Sequence, residues 1–340
     1  MMHRAAMTML LMLALLSACA KEPELPPAAP LQADAAEIAN LYAATAGPLD
    51  VVKVDDIEFP AALEQRALAL NIYYPGEGGR YPVILFSHGN WSDRNSYDRV
   101  IEHWVSHGYV VIAPDHLDCC GMAKGIFNSL RYGNLGLIQA RVGDLASLLE
   151  ALPGLADKVP GLAGKIDPGR VALAGHSFGA FSAQQFGGAA ALDPESGRYL
   201  DALDKRVSAI VALSPPGPMF DEITADSWNG LTIPTLITTG TWDIQPTFWP
   251  DWRDHLMSFE RAQPGDKYAL VVEGADHYLG NLICRTDREQ PPQEDALTMV
   301  NVVTTAFLDS FLKNNSEART MLDGDNLAAT TGEFARLSRR

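Results

Sequence analysis

From about residue 50 onward, apolar residues fall into short compact runs separated by longer stretches in which they recur every three or four positions. The runs 51–59 and 67–74 open the series, and 83–87, 110–113, 171–174, 210–213, 235–238 and 270–272 continue it. Runs this short and this continuously apolar suit strands buried on both faces, as in a largely parallel sheet. Between them the segments 96–107, 135–152, 178–188, 249–262 and 297–312 read as amphipathic helices. Strand and helix in alternation predict an α/β architecture, a mostly parallel central sheet with helices on both faces. No repeat of solenoid length interrupts it.

The start of the chain breaks this pattern. Met1-Met2-His3-Arg4 is basic, and residues 5–16 form an apolar run too short to cross a bilayer as a mature helix, which fits the core of a secretory signal. Its ending, Leu16-Ser17-Ala18-Cys19, resembles the lipobox of bacterial lipoproteins. That resemblance implies removal of residues 1–18, a lipid on Cys19 and attachment to the cell envelope. Ala20 stands where inner-membrane retention is associated with Asp, so the outer membrane is the expected address. Four prolines within residues 21–30 forbid a regular helix and favour an extended tether. The expected organisation is a signal peptide over 1–18, anchor and tether over 19–49, a catalytic domain over 50–315 and a polar, partly helical tail over 316–340.

Composition narrows the partners. The 340 residues carry 26 Lys and Arg against 42 Asp and Glu, a formal charge of -16, with no basic run, which excludes nucleic acid as a partner. With Cys19 set aside, Cys119, Cys120 and Cys284 remain, so one thiol at least stays free. Adjacent cysteines rarely bond, because the short ring strains disulfide geometry. A bridge from Cys284 to Cys119 or to Cys120, or no bridge, are the expected alternatives.

The candidate chemistry lies just after the strands, where ligands bind in open α/β sheets. Gly175-His176-Ser177-Phe178-Gly179 follows the run 171–174 and precedes a helix, the setting in which a G-x-S-x-G turn lifts a serine Oγ to the top of the sheet. A serine hydroxyl needs a histidine base, itself oriented by a carboxylate. Asp243 follows the run 235–238 and His277 follows 270–272, in the chain order serine, acid, histidine. Asp276 and Asp221 compete for the role of the acid. The backbone amide of Phe178 and that of Asn90, or alternatively Trp91, in Ser87-His88-Gly89-Asn90-Trp91 are the expected oxyanion donors. Trp91, His116, Trp242, Phe248 and Trp249 are candidates for the substrate pocket, with core packing the competing reading for the aromatics. His103 and His107 share a helix face, but no Glu follows His103, and His107-Gly108 reads as a helix end; no metal site and no cofactor are expected.

Together these residues resemble the α/β-hydrolase superfamily over about residues 50–315. Phe86-Ser87-His88-Gly89, the segment 106–115 and Gly175–Gly179 are similar to the branch containing platelet-activating-factor acetylhydrolases, chlorophyllases and cutinase-like polyester hydrolases. Arg141 and Asp144 match a recurring R-x-x-D there, read as structural. The acetylhydrolases carry their acid one strand earlier, where this chain has Leu213-Ser214-Pro215-Pro216, so Asp243 fits the cutinase and chlorophyllase arrangement. The resemblance implies a serine esterase acting through an acyl-enzyme on a small or polymeric carboxylic ester, without a large cap domain. An acyltransferase, a lipase or phospholipid acetylhydrolase activity on the same triad, and a non-catalytic surface lipoprotein are the alternatives.

Overall fold

A computed structural model describes residues 30–63 and 66–340. The expected signal peptide, Cys19 and the tether as far as residue 29 lie outside the described residues.

The strands are β1 (Val51–Pro60), β2 (Ala67–Pro75), β3 (Tyr81–Ser87), β4 (Val110–Pro114), β5 (Ile166–His176), β6 (Ala190–Asp193), β7 (Arg198–Asp201), β8 (Val207–Leu213), β9 (Thr235–Trp242), β10 (Lys267–Asp276) and β11 (Ala335–Arg339). Nine of them form one sheet in the order β1-β2-β4-β3-β5-β8-β9-β10-β11. The run from β4 to β10 is parallel throughout, and only β1, β2 and β11 run against their neighbours. This is the α/β-hydrolase fold. β6 and β7 pair separately as a small hairpin.

Period-two alternation distributes each central strand between two cores. Ile84, Phe86 and Val111 face the helices Asp98–Ser106 and Glu294–Leu312, while Val83, Leu85, Val110 and Ile112 face Leu145, Leu148 and Leu149 of the helix Met122–Ala151. Each such side chain is fully buried and contributes about 1.5–3 kcal/mol of transfer free energy. The helix Glu294–Leu312 is long and apolar enough to cross a membrane, but most of it is buried against the sheet. Because the parallel strands share one direction, the loops after β3, β5, β9 and β10 all emerge on one rim.

Four features depart from the sequence reading. The segment 316–340 is not a tail: after two short helices, Ser316–Asp323 and Asn326–Thr330, β11 pairs with β10 and extends the main sheet. The tether closes onto the body before residue 49. Tyr42 donates to Asp309 Oδ2 at 2.6 Å, and the Gly47 amide donates to Ser106 Oγ at 2.8 Å. An additional helical segment from Met122 precedes the helix expected over 135–152, and the two are separated at Gly133, whose φ of 68° breaks the helical path. Finally, Cys119 and Cys120 are bonded to each other, and Cys284 is a buried free thiol. Cys120 has a φ of 72°, and the Cys120 and Gly121 amides donate to the carbonyls of Ser92 and Trp91, both at 3.0 Å, so neighbouring cysteines meet in a turn that the loop after β3 holds in place.

β11 buries Ala335 and half-buries Leu337 against β10. A chain truncated after Phe334 is expected to lose about 2 kcal/mol or more of stability in urea unfolding. An unchanged unfolding midpoint would mean that β11 adds nothing to the sheet.

Candidate active site

The turn after β5 carries Ser177 with φ 52° and ψ -124°, a conformation strained for a residue with a side chain. Its flanking glycines permit it. A Cβ at Gly175 would stand 2.4 Å from the Gly179 carbonyl oxygen, and one at Gly179 would stand 2.1 Å from the Ser87 carbonyl oxygen. Strand, turn and helix therefore approach one another as no other residue would allow. The Ser177 amide donates to the Leu213 carbonyl at 2.9 Å, which anchors the turn to the end of β8.

His277 and Asp243 meet across the rim. His277 Nδ1 lies 2.7 Å from Asp243 Oδ1, and Thr239 Oγ1 donates to Asp243 Oδ2 at 3.0 Å. Asp243 is completely buried. Burial alone would raise its pKa, but the neighbouring imidazoles of His255 and His277 and the hydrogen bond from His277 outweigh burial and hold the carboxyl well below its ordinary range. Asp243 thus stays ionised where water does not reach. The competing acids are engaged or remote: Asp276 Oδ1 accepts from the Tyr278 and Gly280 amides and Oδ2 pairs with Arg288 at 2.8 Å, while Asp221 is exposed.

A buried chain of hydrogen bonds ties three loops together. The Gly89 amide donates to Tyr97 Oη at 2.8 Å, Tyr97 Oη lies 3.1 Å from His176 Nδ1, and His176 Nε2 lies 2.8 Å from the His277 carbonyl oxygen. A carbonyl only accepts, so His176 carries its proton on Nε2 and takes the tyrosine proton at Nδ1. Burial, chiefly, and then the proximity of a second imidazole, His277, push the His176 pKa well down, which keeps it in this neutral form. The residue before Ser177 is thereby fastened to the backbone of His277. Neither His176 nor Tyr97 was singled out by the motif, in which the position before the serine is free.

The loop after β3 turns at Asn90 and Trp91, whose φ is 61°. Among the described residues none accepts a hydrogen bond from the amides of Asn90, Trp91 or Phe178. Behind this loop lies Arg141, fully buried, donating to the carbonyls of His88 at 2.6 Å and Gly89 at 3.2 Å and pairing with Asp118 at 2.7 Å. Burial alone would raise the Asp118 pKa, but Arg141 outweighs it and brings the carboxyl to about 2.

The same network holds His116, which corrects its placement in the substrate pocket. Its ring is 1% exposed, with Nε2 at 2.9 Å from Ser87 Oγ and Nδ1 at 3.1 Å from Asp144 Oδ2. Ser87, His116 and Asp144 repeat the residue types of a catalytic triad, but Ser87 Oγ accepts from Arg141 at 3.0 Å and all three are buried beneath the loop. Arg141 and Asp144, matched above to the R-x-x-D of the resemblance and read as structural, are both fully buried within this network.

The aromatic candidates divide. Phe248 is 46% exposed and meets Phe220 edge-on at 5.8 Å, so this pair forms an open apolar surface. Trp249 is buried and stacks on the His277 ring at 5.8 Å, packing behind that imidazole instead of forming a pocket wall. Trp91 lies half-buried beneath the start of the helix Met122–Ala151, where a Cβ at Gly125 would stand 1.9 Å from its ring. Trp242 is half-buried at the end of β9.

A family model described as chlorophyllase matches residues 39–217, more than half of the sequence. The chain belongs to the chlorophyllase family. Its match to that family covers the Asn90 loop and the Ser177 turn and stops before Asp243 and His277. The chain is 24% identical to chlorophyllase-1 of Citrus unshiu over 73% of its own length and 74% of that protein. It is 26% identical to the cutinase est2 of Thermobifida alba over 63% of its length and 59% of the cutinase. It is 29% identical to a platelet-activating factor acetylhydrolase of Cavia porcellus over 73% of its length and 62% of that protein. It therefore spans less than two thirds of the last two.

Arg141→Gln would leave Asp118 buried without its countercharge and the carbonyls of His88 and Gly89 without their shared donor. Urea unfolding of this variant is expected to show a loss of about 3–5 kcal/mol. Wild-type stability would show that the arginine does not hold the loop.

Proposed function

We propose that this chlorophyllase-family chain is a serine hydrolase of carboxylic esters. Ser177 Oγ attacks the ester carbonyl while His277 Nε2 takes its proton, and Asp243 orients His277 through the bond to Nδ1. The amides of Phe178 and Asn90 receive the developing oxyanion. His277 then returns the proton to the departing alcohol, leaving an acyl-Ser177. Water, deprotonated by His277, attacks this ester, and collapse of the second tetrahedral species releases the acid and restores the serine. The observation that carries the reading is the 2.7 Å contact between His277 Nδ1 and a fully buried, ionised Asp243, together with a serine held in a strained strand-to-helix turn.

The exposed Phe220 and Phe248 support an apolar or aromatic acyl or alcohol group, in a small molecule or a polymer. The N-terminal pattern supports a protein lipidated on Cys19 and held at the bacterial envelope, on the outer membrane. Metabolic labelling with a fatty-acid analogue is expected to mark the wild-type chain and not Cys19→Ser. Labelling of both would place the lipid elsewhere.

Ser177→Ala is expected to lower ester turnover by roughly 10⁴- to 10⁶-fold with its circular dichroism unchanged. The same substitution should abolish labelling by a fluorophosphonate probe. Ester hydrolysis persisting in the folded variant would end the assignment, and product transfer to added alcohols in preference to water would turn it into an acyltransferase.

A further inference from the structure

Asp243 has a second imidazole neighbour. His255, in the short helical turn Trp252–Leu256, places Nε2 3.0 Å from Asp243 Oδ1, the same oxygen that contacts His277, at an angle outside the range of a hydrogen bond. Its other nitrogen, Nδ1, lies 2.6 Å from the Pro215 carbonyl oxygen. The ring is fully buried, between Trp249 at 4.9 Å and His277 at 5.7 Å.

The two contacts decide its protonation. A carbonyl oxygen only accepts, so Nδ1 must carry a hydrogen. In the neutral ring Nε2 would then place an unprotonated, electron-rich nitrogen 3.0 Å from a carboxylate oxygen, which is repulsive even off the lone-pair axis. A hydrogen on both nitrogens removes the conflict and adds a cation beside a buried anion. Burial by itself would favour the uncharged ring, yet the charge of Asp243, together with the Pro215 carbonyl, outweighs burial and raises the His255 pKa. The other ionisable groups facing it are His277 on the loop after β10 and, beyond that, the neutral His176. On its own turn Arg253 is exposed and paired with Asp251, and Asp254 lies beside Gly217.

We propose that His255 is a positioning residue held as an imidazolium between the Pro215 carbonyl and the Asp243 carboxylate, which neutralises the buried acid at rest and extends base catalysis by His277 to lower pH. The catalytic inference rests on the esterase reading; the charge state of His255 does not. In the resting site the charges of Asp243 and His255 cancel, so the acid is not a lone buried anion. When His277 takes the serine proton, the new positive charge forms opposite a carboxylate already shared with a cation. That sharing opposes protonation of the resting base by solvent. The three groups are also spaced as a cation site would be, but the 2.7 Å contact of His277 is a hydrogen bond and the 3.0 Å contact of His255 an ion-pair separation, both on one carboxylate oxygen.

Two measurements test this. In wild-type protein labelled with ¹⁵N-histidine, long-range ¹H–¹⁵N spectra at pH 7–8 are expected to show one buried ring protonated on both nitrogens, assigned by its loss in His255→Gln. A neutral tautomer at that position would overturn the proposal. The pH dependence of kcat/KM for an activated ester is then compared between the wild type and His255→Gln, with His255→Phe as a second variant that keeps a ring in place. Removing a fixed positive charge beside the base makes its protonation easier, so the acid limb is expected to move to higher pH by roughly one to two units. A uniform loss of kcat with the limb unmoved would reduce His255 to packing. If the wild type neither turns over esters nor takes up a fluorophosphonate, the esterase reading fails while the spectra still report the charge on His255.

Discussion

Three loops from three strands must share one register for this site to exist, and the bonds that impose it run through His176. Its Nε2–H reaches the backbone of the His277 loop, and its Nδ1 takes the proton of Tyr97, whose oxygen holds the Gly89 amide. The residues joined are 101 apart in sequence on one side and 79 on the other. Such contacts close only when most of the sheet has formed, since the entropy of closing long loops must be overcome first. Neutral histidine suits the position because it donates at one nitrogen and accepts at the other, and burial holds it in that form.

Around this core of bonds the protein buries a cluster of polar and charged side chains. Arg141, Asp118, His88, Ser87, His116 and Asp144 lie together beneath the loop after β3. Buried charges add little net stability, but losing one partner is severe, so a network of this kind specifies geometry more than it strengthens the fold. What it specifies is a backbone: two carbonyls turned inward onto Arg141. The amides that follow at Asn90 and Trp91 have no acceptor among the described residues.

The strands and the Ser177, Asp243 and His277 positions were legible because each is announced locally. A strand buried on both faces has to be apolar throughout, and a turn that crosses backbone against backbone has to use glycine at Gly175 and Gly179. β11 was not legible. As an edge strand with Arg336, Ser338 and Arg339 exposed, it lacks the continuous apolar run that marks the others. The Cys119–Cys120 bond was not legible either: adjacent cysteines taken alone disfavour it, whereas here the Ser92 and Trp91 carbonyls fix the turn that contains it. His255 carried no signal at all; its neighbours in sequence suggest only a helix, and its relation to Asp243 exists only in three dimensions.

The two margins of the nine-stranded sheet share a property that bears on how copies of the molecule behave beside one another. β1 carries Lys53, Asp55, Asp56 and Glu58, and its register slips between Val54 and Ile57. β11 presents arginines at the opposite margin. An unpaired strand is a template for another chain, and charges and bulges are the means by which such templates are blunted. Neither margin of this sheet is a flat apolar ladder, so crowding of copies in concentrated solution or on a surface does not by itself propagate the sheet from one molecule to the next.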